Sequence, residues 1–191
     1  MTVLAPAEPV SIADYLATEE TSPVKREFLR GMIFAMPSHS SLHNLIGGNA
    51  LGTLHNHLRG KPCQPFNSNT KIRIQLPDDT RFYYPDAMVV CHANADSDHF
   101  QDQPVVVIEV LSESTRRADL GEKRDAYLTI PSLKVLLLVE PDASSVRLHR
   151  RRAEGGFAIE HHAGLDAVIP LPEIEAQLSL ADLYERVDFA S

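Results

Sequence analysis

The sequence has few cysteines, no long apolar run and no excess of positive charge, and each shortage removes a class of protein. Two cysteines in 191 residues, Cys63 and Cys91, do not make a disulfide framework, and they read as buried thiols of a reducing, cytoplasmic compartment. The longest clean apolar run, Val135–Val139, is far short of the roughly 20 residues of a membrane-spanning helix. The opening MTVLAPAEPV has no basic segment ahead of an apolar one, so it does not read as a signal peptide. Lys and Arg number 18 against 26 Asp and Glu, a formal charge of −8, which argues against non-specific binding to nucleic acid. Such binding draws its affinity from neutralised phosphates, although a local basic groove is compatible with any total. With no internal repeat and no linker, the expectation is a loose tail over residues 1–10 and one domain over 11–191, large enough to bury roughly 70% of its unfolded surface.

What is present centres on two acidic strands. Asp86 follows Pro85 at the head of the apolar run Ala87–Val90, and Glu109 lies inside the apolar run Val105–Leu111. Short apolar, β-branched runs bounded by turn formers read as buried strands. A carboxylate inside one is costly unless it is paired, protonated or bound to a cation. Two such carboxylates on neighbouring strands suggest one divalent ion between them, and hard oxygen ligands suit Mg²⁺ or Mn²⁺.

The remaining elements frame these strands. Ser11-Ile-Ala-Asp14 has the form of a capping box opening a short helix to about Glu19. Residues 25–29 and 32–36 form a hairpin around Arg30-Gly31, where Glu27 reads as a surface charge from pattern alone. A helix over Ser40–Leu58, capped by Ser40 or Ser41, carries Gly47, Gly48 and Gly52. Those glycines suit either tight packing on a sheet or a subunit contact. His39, His43, His55 and His57 do not repeat with zinc spacing and have no acidic neighbour in sequence, so a zinc site is rejected. Strands at Cys63–Phe66 and Thr70–Leu76 follow, the second with Lys71 and Arg73 on a polar face and expected to pair with the Asp86 run.

A helix over Arg116–Leu128 places Asp119, Lys123 and Tyr127 on one face and leads to a central strand at Leu133–Val139, a βαβ unit. A hairpin over 144–161 carries Arg147, Arg150, Arg151 and Arg152, either a phosphate-binding edge or charge that discourages strand addition. Ser179-Leu-Ala-Asp182 opens a last helix. The order of elements reads as α/β, with a central mixed sheet flanked by helices.

Pro85-Asp86 followed by Glu109-Val110-Leu111 resembles the PD-(D/E)XK signature of restriction-endonuclease-like nucleases. The word EVLSESTRRADLGEKRDAY, with Asp119, Lys123 and Tyr127, together with REFLRG and His43 upstream, is similar to the Uma-two family over roughly Ser11 to Tyr184. The resemblance implies a restriction-endonuclease-like core and Mg²⁺- or Mn²⁺-dependent hydrolysis of DNA phosphodiester bonds. It implies Asp86, Glu109 and the Val110 carbonyl as metal ligands and Glu27 as a third carboxylate, with His43, Asp119 and Tyr127 behind them. By analogy with nucleases that cut both strands, it also suggests a homodimer. One position departs from the signature. Leu111 stands where the lysine is expected, and Lys123 is the favoured replacement ahead of Gln75 or Lys71. A decayed site would look the same, so the alternatives are an inactive member that binds nucleic acid or protein, and a hydrolase of small phosphoesters.

Overall fold

Pro85 divides the extended stretch 79–90 between two sheets, and the corner it makes is where the carboxylates gather. The computed structural model describes residues 2–3 and 9–189. In chain order the elements are β1 (Thr2–Val3), α1 (Ile12–Glu19), β2 (Arg26–Leu29), β3 (Met32–Ala35), α2 (Ser41–Leu58), β4 (Gln64–Asn67), β5 (Lys71–Leu76), β6 (Asp79–Tyr83), β7 (Ala87–Val90) and β8 (Phe100–Gln101). There follow β9 (Pro104–Val110), α3 (Arg116–Asp119), α4 (Glu122–Leu128), β10 (Val135–Val139), β11 (Ser145–Arg151), β12 (Phe157–Ala163), β13 (Val168–Leu171), β14 (Ala176–Ser179) and α5 (Leu180–Leu183). The first sheet runs β1-β3-β2-β6-β5-β8, the second β12-β11-β10-β9-β7-β4, and β13 pairs with β14 alone. Most of the tail expected over 1–10 lies outside the described residues, while Thr2–Val3 pair with β3.

The βαβ unit forms as the sequence indicates: β9 and β10 are parallel and α3–α4 makes the crossover. Both strands are covered on both faces, which is why they read as unbroken apolar runs. Val106, Ile108 and Val110 of β9 pack with Ile46, Ala50 and Leu54 of α2. The alternate residues Val107 and Leu111 pack with Ala126 and Tyr127 of α4. Glu109 shares that second face by the two-residue period of a strand. The caps also form: Ser11 Oγ accepts from Asp14 N–H at 3.1 Å, Ser40 Oγ from His43 N–H at 3.2 Å and Ser179 Oγ from Asp182 N–H at 3.0 Å. In the β2–β3 turn Arg30 and Gly31 take φ of 51° and 77°, as a tight hairpin turn requires.

Several expectations are corrected. Cys63 and Cys91 are not thiols but a disulfide. Gln64 pairs with Val90 across β4 and β7, so the next residues outward stand opposite each other, a proximity that linear spacing does not reveal. The partners of β5 are β6 and β8, not the Asp86 strand, because the chain turns at Pro85 and β7 joins β9 and β4 instead. The helix over 116–128 is broken at Gly121, whose φ −122° and ψ −108° are not helical, and whose absent Cβ would stand 2.9 Å from the Arg117 carbonyl oxygen.

Lys71 is buried, not on a solvated face, and its ammonium donates to the Tyr84 hydroxyl at 3.2 Å; Arg73 pairs with Asp102. The arginine-rich strand β11 lies inside its sheet, with Arg150 held by Glu160 and Glu173 and Arg151 by the carbonyls of Leu133 and Ile130, so it is not an exposed edge. Two of the three glycines of α2 do not serve close packing on the sheet: a Cβ at Gly48 or Gly52 would meet nothing within 4 Å, whereas one at Gly47 would lie 3.6 Å from the Asp86 Cβ, in ordinary contact. The strands β8, β13 and β14 have no counterpart in the sequence reading. Among the described residues, no helix is long and apolar enough to cross a membrane.

Candidate active site

Asp86 stands one residue before β7, and the register Ala87↔Ile108, extended by one step, sets it opposite Glu109. Its carboxylate ties three elements together. Oδ2 accepts the Val110 N–H at 2.7 Å, and Oδ1 is 2.8 Å from His43 Nε2. His43 is on the first turn of α2, placed there by the Ser40 cap, and it is buried. The His39 ring, just ahead of that cap, lies parallel to the His43 ring, with centroids 3.9 Å apart and planes 14° apart. One ligand atom from each of His39, His43 and Asp86 falls within 4.8 Å of the others, a His/Asp cluster of the kind that holds a metal ion.

Glu109 sits in a different setting. Lys123 Nζ from α4 is 2.9 Å from Glu109 Oε1, 3.3 Å from Glu27 Oε1 and 3.8 Å from Asp119 Oδ1. The Tyr127 hydroxyl donates to Glu109 Oε1 at 2.7 Å. Glu27 also accepts the Tyr84 N–H at 3.4 Å, so it is not the surface charge that its hairpin pattern indicated. Lys123 is only 7% exposed, which overturns any reading of it as a solvated helical lysine. Leu111, where the signature expects lysine, is 1% exposed and packs in the apolar layer under α4. A lysine on that strand face and one descending from α4 reach the same carboxylate, and Lys123 does reach it. Lys71 is tied to Tyr84 and Gln75 is exposed, so neither takes that place.

The charges are unequal to one another. Among the described residues, four carboxylates (Glu27, Asp86, Glu109 and Asp119) gather around the buried Lys123 ammonium, an excess of negative charge that a divalent cation would relieve. Burial pushes the Glu109 and Glu27 carboxyls above their ordinary range, against the opposing pull of Lys123. Burial also works against the Lys123 ammonium, but Glu109, Glu27 and Asp119 outweigh it and raise its pKa well above that of a free lysine. For Asp86, burial pushes up while the His43 hydrogen bond and charge and the Val110 N–H prevail, holding it below the usual carboxylate value. His39 is lowered by burial first and by His43 second. The space among Glu27, His39, His43, Asp86, Glu109 and Lys123 is about 20 Å³, room for one water-sized guest.

All eight residues singled out from the sequence thus fall in one place. His39 was set aside with the rejected zinc reading, because its acidic partner, Asp86, is distant in sequence; the four-residue step to His43 across a Ser cap was the available signal.

The two sheets with α2 and α4 on their faces make a restriction-endonuclease-like fold. It matches the crystal structure of a "putative nuclease belonging to DUF820" from Anabaena variabilis with a TM-score of 0.70 at 18% identity, over 92% of this chain and 98% of that one. The chain belongs to the Uma2 family, whose model, described as "Putative restriction endonuclease", matches residues 12–182. Two uncharacterized proteins of Synechocystis sp. are similar along nearly their whole length. One is 31% identical over 97% of this chain and 96% of its own, the other 27% over 88% and 96%.

Proposed function

We propose that this protein is a metal-dependent endonuclease that hydrolyses DNA phosphodiester bonds, with Asp86, Glu109 and the Val110 carbonyl holding a divalent cation such as Mg²⁺ or Mn²⁺. The observation that carries this reading is the meeting of Asp86, Glu109 and Lys123 around one small space, from three elements far apart in the chain. The donor set fits an ion: carboxylates outnumber ammonium groups, and Val110 turns its N–H to Asp86. A strand residue's carbonyl leaves on the same edge as its N–H. When bound, such an ion lowers the pKa of a coordinated water and stabilises charge on phosphate.

The chain's own groups supply the rest. His43 and Val110 N–H fix the Asp86 carboxylate in one orientation, and Tyr127 fixes that of Glu109. Lys123 presents positive charge where phosphate oxygens become more negative, the role of the lysine absent at Leu111. Asp119 and Glu27 hold its ammonium in place. Cutting both strands of a duplex calls for two such sites, hence a homodimer.

Plasmid DNA and a generic small phosphodiester, incubated side by side with Mg²⁺, Mn²⁺ or chelator, test the reading. Plasmid cleavage that chelator and Asp86→Asn abolish is the expected result. Turnover of the small ester alone would make this a small-phosphoester hydrolase, and turnover of neither would make it an inactive binding member.

A further inference from the structure

We infer that the metal subsite beside Asp86 is completed by His39 and His43, and that it takes a first-row transition ion of the Mn²⁺, Co²⁺ or Zn²⁺ type in preference to Mg²⁺. The inference rests on the metal-dependent reading above and narrows it. It is carried by three observations that do not depend on Glu109. Ligand atoms of His39, His43 and Asp86 lie within 4.8 Å of one another. The two imidazole rings lie side by side, with centroids 3.9 Å apart, and His43 Nε2 is 2.8 Å from Asp86 Oδ1. The Nδ1 atoms of His39 and His43 are buried with no hydrogen-bond partner among the described residues. A polar nitrogen in that condition is costly unless something binds it.

The chemistry of the set then selects the ion. Mg²⁺ demands near-octahedral oxygen ligands and keeps several waters, whereas imidazole suits the later first-row metals. Two imidazoles and one carboxylate on one side make a poor Mg²⁺ site and a good site for a borderline ion. Glu109 is meanwhile engaged by Lys123 and Tyr127, at 2.9 Å and 2.7 Å. The histidines therefore supply what that carboxylate, already shared, gives only in part.

Metal binding is read directly, without reference to activity. Chelator-stripped protein is titrated with Co²⁺ and the ligand-field absorption is followed, with calorimetry for Zn²⁺, Mn²⁺ and Mg²⁺. The expected result is one Co²⁺ per chain, displaced by Zn²⁺ but not by a large excess of Mg²⁺. His39→Ala is expected to weaken Co²⁺ by at least about 10–100-fold, the scale already reached on losing a group that merely supports a ligand, and to weaken Mg²⁺ far less. His39 is only half-buried and precedes α2, so the fold should survive, as an unchanged melting curve would verify; His39→Gln repeats the test with more volume retained. Mg²⁺ binding as tight as Co²⁺ would overturn the inference. So would a Co²⁺ signal indifferent to both His39 variants, or one lost on changing His55 and His57 instead. Tight Co²⁺ binding without DNA cleavage would sink the nuclease reading alone. Cleavage with indifferent histidines would sink this inference alone.

Discussion

The two halves of the site use carboxylates in opposite ways. Around Asp86 the hydrogen-bond partners are an imidazole and a backbone N–H, and the side chain keeps 13% of its exposure. Around Glu109 the partners are an ammonium, a phenol and two further acids, all sealed between β9, β2 and α4. The first half is held in orientation and leaves negative charge available. The second is a buried ionic cluster whose charge is largely spoken for. A carboxylate that keeps some exposure is fixed well enough by a ring nitrogen and a backbone N–H, while one buried in an apolar layer needs a paired ammonium.

The largest way to break that contrast is Lys123→Met. Removing the cation that pairs with Glu27, Glu109 and Asp119 should cost about 3–5 kcal/mol in denaturant unfolding, and cleavage should fall by roughly 10²–10³. Asp86→Asn should instead abolish metal binding in calorimetry while changing unfolding by about 1–3 kcal/mol, since the amide keeps only one of the two bonds the carboxylate accepts. A Lys123 variant as stable as the Asp86 variant would erase the distinction between the halves. Tyr127→Phe comes next: Glu109 loses a buried donor, expected at about 1–3 kcal/mol by the same unfolding experiment.

The smallest effect is a pair of opposite pH slopes in the metal-free protein. Glu109 and Glu27 are raised on folding, so the stability tied to their protonated forms is present below the ordinary Glu value of 4.5 and is lost as pH rises through their folded values. Asp86 is lowered, so its contribution is present above 3.8 and is lost as pH falls through its folded value. A carboxyl whose pKa moves tenfold in acidity on folding changes stability by about 1.4 kcal/mol. In melting curves collected against pH, Glu27→Gln should flatten the slope on the alkaline side and Asp86→Asn the slope on the acid side. Identical curves for both would show that the halves do not titrate separately.

The fold was largely legible because its signals are local. Capping serines at 11, 40 and 179, the Arg30-Gly31 turn, the apolar strands 105–111 and 133–139 and the crossover between them all follow from neighbours a few residues apart. The acidic residues were legible for the same reason, since Asp86 and Glu109 each stand against an apolar background. What failed was what depends on partners. The break at Gly121, the split of 79–90 between two sheets and the Cys63–Cys91 bond each depend on which strand or turn lies alongside.

The same division runs through the site. The sequence by itself determined that carboxylates sit on buried strands and that a lysine is missing at 111, because burial and alternation are written along the chain. Only the tertiary structure decided who answers them. Lys123 became a buried counter-ion instead of a solvated lysine because α4 folds onto the Glu109 face of β9. His39 became a neighbour of Asp86 because α2 begins where β7 begins, and pairing in space does not follow distance in sequence.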